Sequence, residues 1–296
     1  YMAMGRVCAK LILYEVKIRM LITSPNNPRI SKLRELYTPR GRKKTGLFLM
    51  EGIHLLDTVL NANMQPQTVY YAPELLQRTS AGQQLQNRLL TLLDLADKQL
   101  IEVSERVLDA LGDVQTSQGV ISVLSVDTFN PARLRTQRPP KNRPVLLILD
   151  GLSDPGNMGT ILRTALAADV ESVLLTPHCV DYYNPKVVRA AAGAHIALPI
   201  ETHVSWPTIV ERVEVHCSNP RRVFLAEAGS SSIYYEEDLK NPYALIIGNE
   251  AQGSSLEARS LATSTISIPL ANNVESLNAA MATGIILYEA VRQSHS

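Results

Sequence analysis

The chain has 296 residues, 45% of them hydrophobic and 19% charged, which is enough apolar material for two cores and too much for a disordered chain. Its 29 basic and 28 acidic residues nearly cancel, so no global field draws it to polyanions, and any nucleic-acid contact must come from local clusters. Cys8, Cys179 and Cys217 lie far apart without metal-ligand spacing, and no uncharged apolar run approaches the roughly 18 residues of a membrane span. These features predict a soluble protein of the reducing cytoplasm, without membrane or structural metal.

Residues 1–20 are expected to be an N-terminal extension without a part in function, although Val16, Ile18 and Met20 alternate with Lys17 and Arg19 as a short strand would. Residues 21–126 read as a small α/β unit. From Leu21 to Gly46 seven basic residues face one acid, Glu35. Ile30, Leu33, Leu36 and Tyr37 mark the packed side of a helix ended by Thr38-Pro39, and Arg40, Arg42, Lys43 and Lys44 follow as an exposed basic loop. Such a loop is either a solvated face or a phosphate-contact patch. Strands are predicted at 47–52, 68–72, 100–103 and 119–126, and helices at 53–61, 83–95 and 105–111.

Residues 127–144 hold four prolines and Arg133, Arg135, Arg138, Lys141 and Arg143 with almost nothing apolar, which predicts an interdomain linker. Residues 145–296 then alternate apolar runs with helical segments. Strands are predicted at 145–149, 172–176, 196–200, 223–226, 244–247 and 265–268. Continuous apolar strands separated by helices imply a parallel sheet buried on both faces, with ligands at the strand ends. No Gly-x-Gly-x-x-Gly fingerprint follows these strands, which disfavours a dinucleotide phosphate cradle.

Three stretches of this half stand out. Leu149-Asp150-Gly151-Leu152-Ser153-Asp154-Pro155-Gly156-Asn157-Met158-Gly159 leads into a helix carrying Arg163. Tyr243 to Gly253 ends in Gly248-Asn249-Glu250-Ala251-Gln252-Gly253. Ile266-Ser267-Ile268-Pro269-Leu270 stops at a proline, and Ser276-Leu277-Asn278 caps an apolar final helix that is expected to be mostly buried. Taken singly, each is an ordinary strand, turn and helix cap.

Together, in this order, they resemble the three signature motifs of the SpoU (TrmH) family, S-adenosylmethionine-dependent RNA ribose methyltransferases of the SPOUT superfamily. The Phe48-Leu49-Met50-Glu51-Gly52 and Gln118-Gly119-Val120-Ile121 segments resemble the substrate-binding domain that many SpoU enzymes carry first. The resemblance implies a C-terminal α/β domain whose last strands and helix form a deep trefoil knot, preceded by an RNA-binding α/β domain. It implies cofactor contacts at Ala226, Gly248, Gly253, Ile268, Leu270 and Leu277. Arg163 falls on the motif arginine assigned to hydroxyl activation; since a guanidinium stays protonated, binding phosphate and stabilising a developing alkoxide fits it better. Asn157 lies at the start of that helix. Glu250 would orient Asn157 or Arg163, and Ser276 and Asn278 would hold the arginine or the substrate ribose. Ala192 stands where the family often has serine before glycine, which argues against a substrate contact there.

Three functions follow from this resemblance: methyl transfer to a ribose 2'-hydroxyl of structured RNA, ribosomal before transfer RNA; a catalytically silent RNA-binding protein of the same fold; or base methylation. Members of the superfamily are generally homodimers, and the apolar segment from Leu277 to Val291 is a candidate interface.

Overall fold

The computed structural model describes residues 21–92, 100–111, 117–129, 145–217 and 221–295; the expected extension at 1–20 and linker residues 130–144 lie outside them. A first sheet has strand order β1 (Leu21–Ile22), β4 (Leu100–Val103), β3 (Thr68–Tyr71), β5 (Val120–Ser125), β2 (Leu47–Glu51). β5 runs antiparallel to both β2 and β3, whereas β4 is parallel to β1 and β3. Helices α1 (Pro28–Glu35), α2 (Pro39–Thr45), α3 (Ile53–Asn61), α4 (Pro73–Leu76), α5 (Ser80–Leu92) and α6 (Glu105–Asp109) complete this unit.

The basic segment expected as a loop is helical instead. Thr38 Oγ1 accepts from the Gly41 N–H at 3.1 Å, Pro39 takes the first turn where its missing N–H costs nothing, and Gly46 ends α2 in the left-handed conformation. Threonine-proline is here a start signal as well as a stop. Arg42 therefore faces inward and is 4% exposed. Its Nε donates to Asp181 Oδ2 at 2.8 Å and its guanidinium donates to the Leu36 carbonyl at 2.8 Å, which removes it from the expected phosphate-contact set. Arg40, Lys43 and Lys44 remain exposed.

The second sheet is parallel throughout, with order β10 (Ser232–Ile233), β12 (Ser264–Ser267), β9 (Val223–Ala226), β11 (Tyr243–Ile247), β6 (Val145–Leu149), β7 (Ser172–Leu175), β8 (Ile200–Glu201). Every residue of β6 and β11 is buried, the reason their sequences are uninterrupted apolar runs. Helices α7 (Pro155–Ala167), α8 (Pro185–Ala190), α9 (Ala194–Ala197) and α12 (Ala279–Ser294) cover one face, and α10 (Trp206–His216) and α11 (Leu256–Leu261) the other.

Two expectations fail here. The strand placed at 196–200 shrinks to Ile200–Glu201, because Ala194–Ala197 is a helical turn entered through Gly193 at φ 95°; a short apolar run does not by itself separate helix from strand. α12 is not mostly buried either. Ala280, Thr283, Ile286, Leu287 and Ala290 pack inward, while Met281 and Tyr288 stand out at 61% and 50% exposure.

The two sheets are joined by more than the chain connection. Phe48, Met50, Leu55, Val59 and Leu124 of the first unit share a buried cluster with Val188 and Ile196 of the second. The Arg42–Asp181 pair and an Arg189–Glu51 ion pair at 3.5 Å flank it. α8 at this junction packs against α7, where a Cβ on Gly159 would sit 2.4 Å from the Ala190 Cβ.

Candidate active site

The ends of β9, β11 and β12 and the first turns of α7 and α12 surround a cavity of about 440 Å³. All six residues expected to contact a cofactor line it: Ala226, Gly248, Gly253, Ile268, Leu270 and Leu277. So do Asn157, Glu250, Ser276 and Asn278.

Polar side chains tie the three stretches to one another. Asn249 Nδ2 donates to the Gly151 carbonyl at 2.6 Å, and Asn249 Oδ1 accepts from the N–H groups of Ala251 and Gln252, closing the turn between Gly248 and Gly253. The same turn is held by two backbone bonds between Asn249 and Gly253. Gly248 allows this closure, since a Cβ there would lie 2.4 Å from the Ser254 hydroxyl. The buried Asp150 carboxylate accepts from the Ser255 N–H at 2.8 Å and anchors the chain leaving the turn.

Asn157 is the centre of the polar wall. Its Nδ2 donates to Glu250 Oε1 at 2.9 Å and its Oδ1 accepts from Asn278 Nδ2 at 2.8 Å. Asn278 Oδ1 in turn accepts from the N–H groups of Ala280 and Met281, so the N-cap of α12 is the last member of this relay. The other oxygen of Glu250 accepts from the Ser153 N–H and hydroxyl, both at 3.3 Å. Partial burial pushes the Glu250 carboxyl up, but the bonds from Asn157 and Ser153 outweigh it and hold the group below its ordinary value. Glu250 is therefore an ionised acceptor that fixes Asn157, and Asn157 fixes Asn278.

Arg163 is not part of this wall. It lies on the exposed side of α7, makes no ion pair among the described residues, and does not line the cavity of its own chain. Residues not anticipated also contribute: Glu227 lines the cavity beside Ala226, and its carboxylate is gripped by Arg259 with contacts of 2.9 and 2.6 Å. A lone acid after a strand offers no signal for this. Ser267 and Ile286 join the lining because β12 and α12 approach from opposite sides, a tertiary fact with no local signature.

The cavity suits an adenosine-bearing sulfonium better than a phosphate-bearing cofactor. Ile247, Ile266, Ile268, Leu270 and Leu277 give apolar walls, a glycine turn lets backbone groups approach, and the Glu250 carboxylate, which has no cationic partner among the described residues, complements positive charge.

Fold and cavity together define a two-sheet α/β protein with a ligand site built from strand-end loops of its parallel sheet. Residues 144–288 match the SpoU rRNA Methylase family, and residues 27–122 match the MRM3-like substrate binding domain. A relative from Synechocystis, named as an uncharacterized tRNA/rRNA methyltransferase, is 35% identical over 92% of this chain and 93% of its own length. A crystal structure of an RNA 2'-O ribose methyltransferase superposes with a TM-score of 0.77 at 28% identity, covering 94% of this chain and all of that one. The AdoMet-bound rRNA methyltransferase of Sinorhizobium meliloti gives 0.76 at 28% identity, covering 93% of this chain and 98% of that one. The chain belongs to the SpoU rRNA methylase family.

Proposed function

We propose that this protein transfers a methyl group from S-adenosylmethionine to a ribose 2'-hydroxyl of ribosomal RNA. The observation that carries the reading is the Glu250–Asn157–Asn278 relay, which draws all three motifs to the rim of one cavity. The structural relatives named above as an RNA 2'-O ribose methyltransferase and an AdoMet-bound rRNA methyltransferase support the substrate and the cofactor.

When bound, S-adenosylmethionine supplies an electrophilic methyl carbon on a sulfonium. The chain's task is to hold the 2'-oxygen in line with that carbon while the O–C bond forms, the C–S bond breaks to release S-adenosylhomocysteine, and the hydroxyl proton passes to solvent water. Positioning of this kind is worth roughly 7 to 11 kcal/mol in favourable cases. In this proposal Asn157, held at both ends, and Ser276 of the same cavity orient the ribose, and Glu250 keeps Asn157 in one amide orientation. Arg163 binds the substrate phosphate and stabilises the developing alkoxide. Because it stands outside its own cavity, its approach is assigned to a homodimer. Met281 and Tyr288, exposed about two turns apart on one stripe of α12 beside α7, form the apolar patch such a dimer would cover.

In the same proposal residues 21–126 form the RNA-binding unit and 145–296 the methyltransferase domain, with Arg40, Lys43 and Lys44 on RNA phosphates. The final strands and helix form the knot the family resemblance implies. A cytoplasmic location is part of the same proposal, while among the described residues no helix is long and apolar enough to cross a membrane. Tritium transfer from labelled S-adenosylmethionine to ribosomal RNA tests the activity. Label in RNA that survives as a 2'-O-methylnucleoside after nuclease digestion is expected; label on a base, or none, contradicts it.

A further inference from the structure

A second cavity, of about 490 Å³, lies in the first unit, between α1, the end of α2 and the sheet. Its floor is apolar, lined by the buried Leu33, Leu36, Ile101, Val123 and Tyr70. Its rim is cationic: Arg29 and Lys32 project from α1 and Lys44 from α2, all three are exposed, and none is ion-paired among the described residues, against one lining acid, Glu35. Gln67 and Thr68 add amide and hydroxyl groups where β3 begins. Arg29 comes near enough to the buried Tyr70 phenol to offset part of the rise that burial imposes on it.

An apolar floor with an aromatic edge, two short polar readers and three unpaired cations is the chemistry that holds one unstacked base with its flanking phosphates. A regular RNA duplex presents no free base to such a cleft. The volume falls in the range of small-molecule sites, so it fits a nucleotide and excludes a helix. We infer that this cleft takes one unpaired nucleotide of the substrate RNA, base against Tyr70 and the leucines, phosphates on Arg29, Lys32 and Lys44. The inference rests on the RNA-methyltransferase reading and gives it a recognition site separate from the methyl-transfer cavity. α2, which carries Lys44 outward, is pinned inward to the catalytic domain by Arg42 and Asp181, so the cleft stands at a fixed offset from that cavity.

The test uses the full chain, a short single-stranded oligoribonucleotide, the same sequence as duplex, and poly-glutamate as competitor. Arg29→Ala, Lys32→Ala and Lys44→Ala combined should weaken single-strand binding at least tenfold. They should also flatten the dependence of log affinity on log salt by about 2, at about 0.7 for each phosphate that is no longer neutralised. Arg29→Lys, Lys32→Arg and Lys44→Arg combined should keep most of the affinity, and S-adenosylmethionine affinity should not change in either variant. Unchanged single-strand affinity and slope in the alanine variant would overturn the inference, as would equal preference for duplex or displacement of RNA by poly-glutamate. Absence of methyl transfer by the unaltered protein would instead sink the methyltransferase reading, and it leaves the binding comparison readable on its own.

Discussion

Asn157 has one donor end and one acceptor end, and each is already committed to a different motif, Glu250 on one side and Asn278 on the other. Asn157→Ala leaves both partners unfixed; transfer should fall about 100-fold, the cost of a misplacement of about an ångström, while S-adenosylmethionine still binds, as calorimetry would show. Unchanged turnover would remove Asn157 from the site. Arg163→Ala should abolish transfer with cofactor affinity still measurable, since the residue lies outside the cofactor cavity. His195 tests the interior. It is fully buried, stacked on Tyr182 at 4.0 Å with Nε2 2.9 Å from the Tyr182 carbonyl oxygen, and burial lowers its pKa from 6.5 to about 4, outweighing that hydrogen bond. The unfolded chain takes up the proton first as pH falls, so the folded state has its full stability above about pH 6.5 and loses it progressively down to about pH 4. Over that interval the linkage is worth ~3 kcal/mol. Denaturant midpoints measured across it should fall less steeply in His195→Phe than in the parent chain, and parallel slopes would contradict the assignment.

Most elements can be read directly from the chain, and the failures share a cause. β6 and β11 are legible because both their faces are buried and nothing interrupts the apolar run; α3, from Ile53 to Asn61, is legible because Leu55, Leu56, Val59 and Leu60 recur at helical spacing. α2 is hidden because proline after threonine reads as an end, while the Thr38 hydroxyl makes it a capped beginning. Thr38→Ala should cost about 1 kcal/mol by denaturant unfolding, the usual value of a lost N-cap, whereas an effect within error would mean α2 needs no cap. The cavity-lining set is legible at Gly248, Leu277 and their neighbours because the resemblance to the family's three motifs implies it. Glu227, Ser267 and Ile286 are not, because only the convergence of β9, β12 and α12 makes them neighbours. Gly248→Ala should abolish cofactor binding, since the added methyl has only the Ser254 hydroxyl and backbone to push against.

In the whole molecule the two sheets act as one piece, and Arg42 is the residue that shows it. Reading the basic segment as a charge run makes Arg42 a phosphate contact; it is an interdomain strut, and no local pattern distinguishes it from its neighbours Lys43 and Lys44. Arg42→Met should destabilise the protein by about 3 kcal/mol, the low end for breaking a buried pair because Asp181 stays partly in water, and adding Asp181→Leu should recover much of the loss. Additive losses in that double-mutant cycle would mean that the pair is not coupled. A joined pair of domains bears on the proposed function too: if the first unit holds the RNA, the distance to the methyl-transfer cavity is fixed by the junction at Phe48, Val188 and Ile196. The most direct measurement is a map of ribose methylation on ribosomal RNA from cells with and without this protein, read by mass spectrometry and complemented with the parent chain or Asn157→Ala. A 2'-O-methyl that vanishes without the protein and returns only with the parent chain is expected; an unaltered map, or a methyl restored equally by Asn157→Ala, would contradict the proposed methyl transfer.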